Sequence, residues 1–126
     1  MKMIILDKNG KMIDEELVFK KGTHHKENLG YLEENPKLKE DIEEQLVPIF
    51  EDFFDGPAYM NSGAIAVKVC SSLEQEQNSF YHSLVGSLLF EYFKKISPSD
   101  FNASDDLILI ANKGEEQHCF DYFLKQ

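Results

Sequence analysis

Residues 80–96, FYHSLVGSLLFEYFKKI, are the stretch that decides the fold. Apolar side chains occur on nearly every side of a helix drawn through this stretch, which is typical of a helix in the centre of a fold or between two layers. One face carries small side chains that let another backbone come close, and its members are Ser79, Ser83, Gly86 and Ser87. Two sequence signals compete for the N-terminus of this helix. One is a capping box in residues 71–74, and the other is Asn78 followed by Ser79. We therefore predict a buried helix here.

Strands are predicted on both sides of this helix. Residues 63–70, GAIAVKVC, are the clearest central strand, because Lys68 is the one charged residue in an otherwise apolar and partly β-branched run. Residues 106–111 and 118–124 are two further apolar runs, and a hairpin is their simplest connection.

The N-terminal residues predict a hairpin as well. An apolar run at residues 3–6 is followed by Asn9-Gly10 and then by Met12-Ile13. Asn-Gly between apolar runs is the strongest short-range hairpin signal, because the turn needs positive φ angles. The second strand is expected to continue to residues 17–19. The acids at 14–16 would interrupt its buried face, which favours a bulge or an exposed edge there.

A second helix is predicted from Pro36, where the missing N–H costs nothing, with Asn35 as its cap. One apolar stripe follows at helical spacing and consists of Leu38, Ile42, Leu46, Ile49, Phe50 and Phe53. Pro48 is expected to kink the helix or split it in two. Gly56 is expected to end it. Residues 20–34 show neither helical nor strand periodicity convincingly and are expected to be a long loop, a functional segment or a misassigned element.

These elements predict a single α+β domain over residues 1–126, in the order β-β-α-β-α-β-β. Such an order favours a mixed or antiparallel sheet with two helices packed on one face. The order of the strands within the sheet cannot be derived from this pattern.

The charge excludes some classes of partner. The chain has 126 residues, 23 acids against 13 cations that are all lysine, and a net charge of −10. Direct binding of nucleic acid is not expected, because it needs a cationic face. The longest apolar run is too short for a signal peptide or a membrane span. Cys70 and Cys119 lie in apolar runs and are expected to be buried free thiols, which makes the cytoplasm the expected compartment.

Most of the charge lies in one segment. Residues 33–55 hold nine acids and two lysines, a net charge of −7 in 23 residues. Repulsion between neighbouring acids and the helix dipole both disfavour this arrangement locally. Either the acids recruit a cationic partner, or they form a solvated face that keeps the protein soluble.

We favour a non-catalytic acidic module that binds a basic protein, as an inhibitor or immunity-type protein does with a toxin, a nuclease or another nucleic-acid-binding protein. Aromatic anchors beside the acids would supply affinity. The predicted partner-binding residues are Glu40, Asp41, Glu43, Glu44, Glu51, Asp52, Phe54, Asp55 and Tyr59. On a helical wheel Glu40, Glu43, Glu44 and Glu51 share the face opposite the apolar stripe.

Two alternatives remain. Residues 20–34 could bind a small ligand or act in catalysis, with His24 or His25 carrying a proton and Lys20, Lys21 or Lys26 binding an anion. The chain could also be a structural subunit that forms a homo-oligomer through its apolar helix or a strand edge. No catalytic motif is recognisable, and no cofactor is expected. His82, His118, Cys70 and Cys119 lack the spacing of a metal site.

Overall fold

The computed structural model describes residues 2–7, 9–13, 24–55, 59–95, 106–111 and 120–124. Its elements in chain order are β1 (Lys2–Leu6), α1 (His24–Glu34), α2 (Pro36–Asp55), β2 (Tyr59–Asn61), α3 (Ser62–Ser72), α4 (Ser79–Lys95), β3 (Asp106–Ala111) and β4 (Phe120–Leu124). The α+β class is confirmed. The predicted order with two helices is wrong, because four helices lie within the described ranges.

The four strands form one sheet in the order β1-β3-β4-β2. The central strand β3 pairs in parallel with β1 and antiparallel with β4. β2 pairs antiparallel with β4, and Met60 lies opposite Tyr122. The sheet is therefore mixed, and β2 lies at one end of the four described strands.

The central helix is confirmed as α4. Its buried side chains include Leu84, Val85, Leu88, Leu89, Phe90 and Phe93. Phe93 stacks on Tyr122 of β4 at 4.5 Å between ring centroids and meets Phe53 of α2 edge-on at 5.3 Å. Of the two predicted start signals, Asn78 is the one that caps α4, because its Oδ1 accepts a hydrogen bond from the Tyr81 N–H. Most of the apolar surface of α4 is thus covered by its own chain, although Phe80 in its first turn is 43% exposed.

Residues 63–70 form most of α3, so the predicted central strand is wrong. The buried members of α3 are Ser62, Ile65, Ala66, Val69 and Cys70, which recur at helical spacing. Asn61 caps the helix by accepting a hydrogen bond from the Ala64 N–H at 2.9 Å. The strand in this region is β2, just before the cap. Burial raises the pKa of the Cys70 thiol, a buried free cysteine as expected, whereas Cys119 lies outside the described residues.

Residues 24–34 are helical. The long loop considered for residues 20–34 is therefore wrong for residues 24–34, and residues 20–23 lie outside the described ranges. His25, Asn28 and Leu32 are the buried residues of α1 and lie on one helical face. Because two of these three are polar, hydrophobic periodicity gives no signal for this helix. The Asn28 amide donates to the Ser83 and Ser87 hydroxyls at 2.6 and 2.9 Å, on the small face of α4.

α2 begins at Pro36, as predicted, and runs unbroken through Pro48. Pro48 therefore does not split the helix. The Asn35 side chain has a different role from the predicted one, because its amide donates to the Tyr31 carbonyl at 2.9 Å and so closes the end of α1. The Asn35 backbone carbonyl accepts the first bond of α2, from the Lys39 N–H at 3.1 Å. The end predicted at Gly56 lies outside the described residues.

The hairpin turn after β1 is present. Met12 forms an antiparallel bridge with Leu6, and the Ile13 N–H donates to the Ile5 carbonyl at 2.8 Å. The Asp7 carboxylate accepts from the backbone N–H groups of Asn9 and Lys11, and Gly10 takes a φ of +84°. The strand predicted to continue to residues 17–19, with its interruption at 14–16, lies outside the described residues.

The C-terminus of α3 has Glu74 in the left-handed region, with a φ of +56°. The Glu74 N–H donates to the Ser71 carbonyl and the Gln75 N–H to the Cys70 carbonyl, at 3.2 and 2.9 Å. These are the two bonds of a Schellman motif, in which glycine is the favoured residue at this position. A side chain at this φ is strained.

Glu74→Gly should therefore raise the free energy of unfolding by about 0.5–1 kcal/mol, because glycine adopts this φ without a steric penalty. Glu74→Ala is the matched control. It removes the same carboxylate but keeps the Cβ, so its stability should match that of the wild type. Urea denaturation of the three proteins measures both changes. Equal stabilisation by both substitutions would show that charge, and not the backbone, is responsible.

Candidate partner-binding surface

The acids of α2 divide into two groups by exposure. Glu40, Glu44, Glu51 and Asp52 are exposed, whereas Asp41 and Glu43 are half-buried. At about 100° per residue, Glu40, Glu44 and Glu51 point away from the buried Ile42, Leu46 and Phe53. We call these three the outward acids. Glu40 and Glu51 are eleven positions apart, or about 16 Å along the helix axis.

Asp41 and Glu43 have lysine partners one helical turn earlier. Lys37 Nζ lies 2.8 Å from Asp41 Oδ1, and Lys39 Nζ lies 3.9 Å from Glu43 Oε1. The hydrogen bond and the charge of Asp41 raise the pKa of Lys37. Exposed pairs of this kind contribute little to stability, because solvent screens them. Their effect on the surface is to neutralise part of its charge near the start of α2.

Glu43 does not share the outward face with Glu40, Glu44 and Glu51, so this part of the prediction is wrong. It lies beside Tyr92 of α4, whose pKa is raised by burial and by the Glu43 carboxylate. The position explains the difference, because residue 43 is one place after the buried Ile42 and so borders the apolar stripe. The side chains of Phe54 and Asp55, in the last turn of α2, lie outside what the structure describes.

Tyr59 and Asp52 line one groove of about 340 Å³ between α2, β2 and α3. The apolar lining comes from Ile49, Phe53, Met60, Ala64 and Ile65, and Lys68 adds one cation. Tyr59 is 52% exposed, and its hydroxyl donates to Asp121 Oδ1 at 3.3 Å. The structure therefore places an exposed aromatic ring and an apolar groove beside the acidic helix. Pairing of Met60 with β4 brings this region together, which the sequence pattern did not indicate.

Asn61 holds this region in place through both ends of its amide. Its Oδ1 caps α3 at Ala64, and its Nδ2 donates to Asp121 Oδ1 on β4. One side chain thus joins the helix start to the neighbouring strand.

The histidine and lysine cluster predicted at residues 20–34 is not assembled as a site among the described residues. His25 is buried, with Nε2 at 2.7 Å from Glu91 Oε1 and its ring edge-on to Phe90 at 5.6 Å. Lys26 is exposed. Lys20 and Lys21 lie outside the described ranges, as does the side chain of His24.

The residues with metal-binding side chains form no metal site within the described part of the chain. His82 Nε2 lies 2.6 Å from Gln77 Oε1, whereas Cys70 is buried in the core. His118 is outside the described ranges. No group of three or more histidine, cysteine or carboxylate side chains among the described residues is placed to hold a metal ion.

No described helix has the length and apolar composition needed to cross a membrane. Comparison with protein-family models, with curated proteins and with solved structures finds no match to this chain.

Substitutions at Asn61 should separate its two roles. Asn61→Ser keeps a capping oxygen and loses the bond to Asp121, whereas Asn61→Ala loses both. We expect losses in the free energy of unfolding of about 0.5–1 kcal/mol for serine and about 1–2 kcal/mol for alanine. Denaturant unfolding measures both values, and equal losses would show that only one of the two bonds matters.

Asn61→Asp should give a pH-dependent loss of stability. The new carboxylate can cap α3 but faces Asp121, so one of the two folded-state pKa values rises above the unfolded value of about 3.9. The loss relative to wild type should be small at about pH 4 and grow as pH rises toward 7. Unfolding at both pH values measures it, and a loss independent of pH would contradict the proposed contact.

Proposed function

We propose that this protein is a non-catalytic module that binds a basic protein, with the outward acids guiding the encounter and the groove at Tyr59 supplying the anchor. The favoured version is an inhibitor or immunity-type protein that neutralises a toxin or a nucleic-acid-binding protein. The observation that carries the proposal is the position of Tyr59 and Asp52 in one apolar groove, on the flank of the helix that bears the outward acids.

Charge and apolar surface have different tasks in such an interface. Three exposed carboxylates along about 16 Å of helix attract a cationic partner and raise its association rate, an effect that salt weakens. Exposed charge pairs add little affinity by themselves. Binding energy in protein interfaces comes mainly from buried aromatic and apolar anchors. Tyr59 and its groove offer such an anchor, whereas a helix that is only solvated needs none beside it.

Replacement of the three outward acids by lysine should abolish capture of the partner. The triple variant Glu40→Lys, Glu44→Lys, Glu51→Lys changes the net charge from −10 to −4. The matched control Glu27→Lys, Glu74→Lys, Glu76→Lys makes the same change at exposed acids elsewhere. Each protein is immobilised, incubated with an extract of the native host at low salt and eluted with a salt gradient.

The expected result is a basic protein that elutes at the same salt concentration from the wild type and the control but is not retained by the outward-acid variant. Equal loss in both variants would indicate attraction by total charge only. Capture that survives in the outward-acid variant, with unchanged salt dependence, would disprove the proposal.

Replacement of Tyr59 tests the anchor separately. Tyr59→Ala should weaken the partner's affinity by about tenfold or more, because the ring is lost from the groove. Tyr59→Phe should stay within about twofold of the wild type, since it keeps the ring. Titration calorimetry with the captured partner measures both affinities at two salt concentrations. The alanine variant should keep the wild-type salt dependence, and unchanged affinity would remove the groove from the interface.

A further inference from the structure

A second cavity lies on the opposite flank of α2, where this helix meets α1 and α4. Its volume is about 270 Å³, just below the range of roughly 300–1,000 Å³ usual for ligand pockets. Leu29, Leu32 and Leu88 form its apolar wall. An occupant must therefore be small and must offer an apolar body to these leucines.

The charged lining of this cavity comes from three helices. Glu33 of α1, Glu43 of α2 and Glu91 of α4 supply three carboxylates, and Lys39 supplies one ammonium. The formal charge of the lining is therefore −2. Unlike the outward acids, which follow one another along a single helix, these carboxylates come from three helices and line one cavity. Four of the eight lining residues are thus charged, and a ligand for this cavity must match that charge as well as the leucines.

Two of the carboxylates are held in place by neighbours. Glu91 Oε1 lies 2.7 Å from His25 Nε2, and His25 is itself buried between α1 and α4. Glu43 lies beside Lys39 and the Tyr92 phenol. Fixed groups lose less conformational entropy when a ligand binds, so this arrangement favours binding.

The lining argues against two classes of occupant, bare metal ions and anions. A bare metal ion needs a shell of oxygen or nitrogen ligands, which leucine side chains cannot provide. An anion would meet three carboxylates. The lysines of residues 20–34 led us to expect an anionic ligand, whereas this cavity favours a cationic one. Leu29, Leu32 and Glu33 of that same segment line the cavity.

We propose that this cavity binds a small organic cation, a primary amine or guanidine on a short alkyl or aryl body. The ammonium or guanidinium group lies among the acidic side chains of the lining, while the body lies against the leucines. Such a group can belong to a free amine or to a lysine or arginine side chain of a polypeptide. The inference does not depend on the proposed function, because the outward acids and the groove at Tyr59 take no part in it.

Methyl NMR of the full chain tests the site with hexylamine, with its neutral analogue 1-hexanol, and with a tetrapeptide containing a single lysine. Hexylamine should shift the methyl signals of Leu29, Leu32 and Leu88 saturably, with a Kd on the order of 1 mM or below. Binding of 1-hexanol should be about tenfold weaker or more. Tighter binding of the peptide than of hexylamine would assign the cation to a polypeptide, and the reverse would assign it to a free amine.

Variants of the lining test the charge argument in both directions. Glu33→Gln should weaken hexylamine binding by about three- to tenfold, whereas Glu34→Gln, the exposed neighbour outside the cavity, should leave it unchanged. Lys39→Gln should strengthen binding, because it removes the one repelling charge. Glu33 and Glu34 are exposed and Lys39 is half-buried, so the fold should persist in all three variants. Equal binding of hexanol and hexylamine, equal effects of the two glutamine variants, or no shift of the three leucines would overturn the proposal.

Discussion

The structure depends on the burial of α4. Leu84, Leu89, Phe90 and Phe93 have essentially no exposed surface, which requires neighbours on all sides of the helix. α1, α2 and α3 supply the helical neighbours, and Tyr122 of β4 stacks on Phe93 from the sheet. Burying a large apolar side chain is worth about 1.5–3 kcal/mol. Four such residues on one helix therefore outweigh any local preference of the elements around it.

Polar groups on α4 decide which helix lies on which side. Ser83 and Ser87 are buried and accept hydrogen bonds from Asn28, while Glu91 meets His25. A buried polar group without a partner costs about 1–3 kcal/mol. Only a helix with matching polar groups can therefore cover this face, and α1 carries them at positions 25 and 28. These contacts favour one register of α1, and this register brings Glu33 and Glu91 to the same cavity.

The sequence predicted the two helices whose buried faces are apolar, α2 and α4, and the Asn9-Gly10 turn. It did not predict α1, because His25 and Asn28 occupy buried positions that periodicity expects to be apolar. It assigned α3 to a strand, because the β-branched Ile65, Val67 and Val69 occupy every second position, as they would on one face of a strand. The concentration of acids on α2 could be predicted. The groove at Tyr59 could not, because it depends on the pairing of β2 with β4, a contact between residues about 60 positions apart.

The outward acids of α2 are tolerated by the fold at a small local cost. Like charges one turn apart cost a few tenths of a kcal/mol per pair, and anions near the C-terminus of a helix cost a similar amount. The burial of Ile42, Leu46 and Phe53 outweighs these costs several-fold. Folding thus neither requires the outward acids nor excludes them. This is the reason for proposing that the row of exposed carboxylates beside the groove at Tyr59 serves an interaction outside the chain.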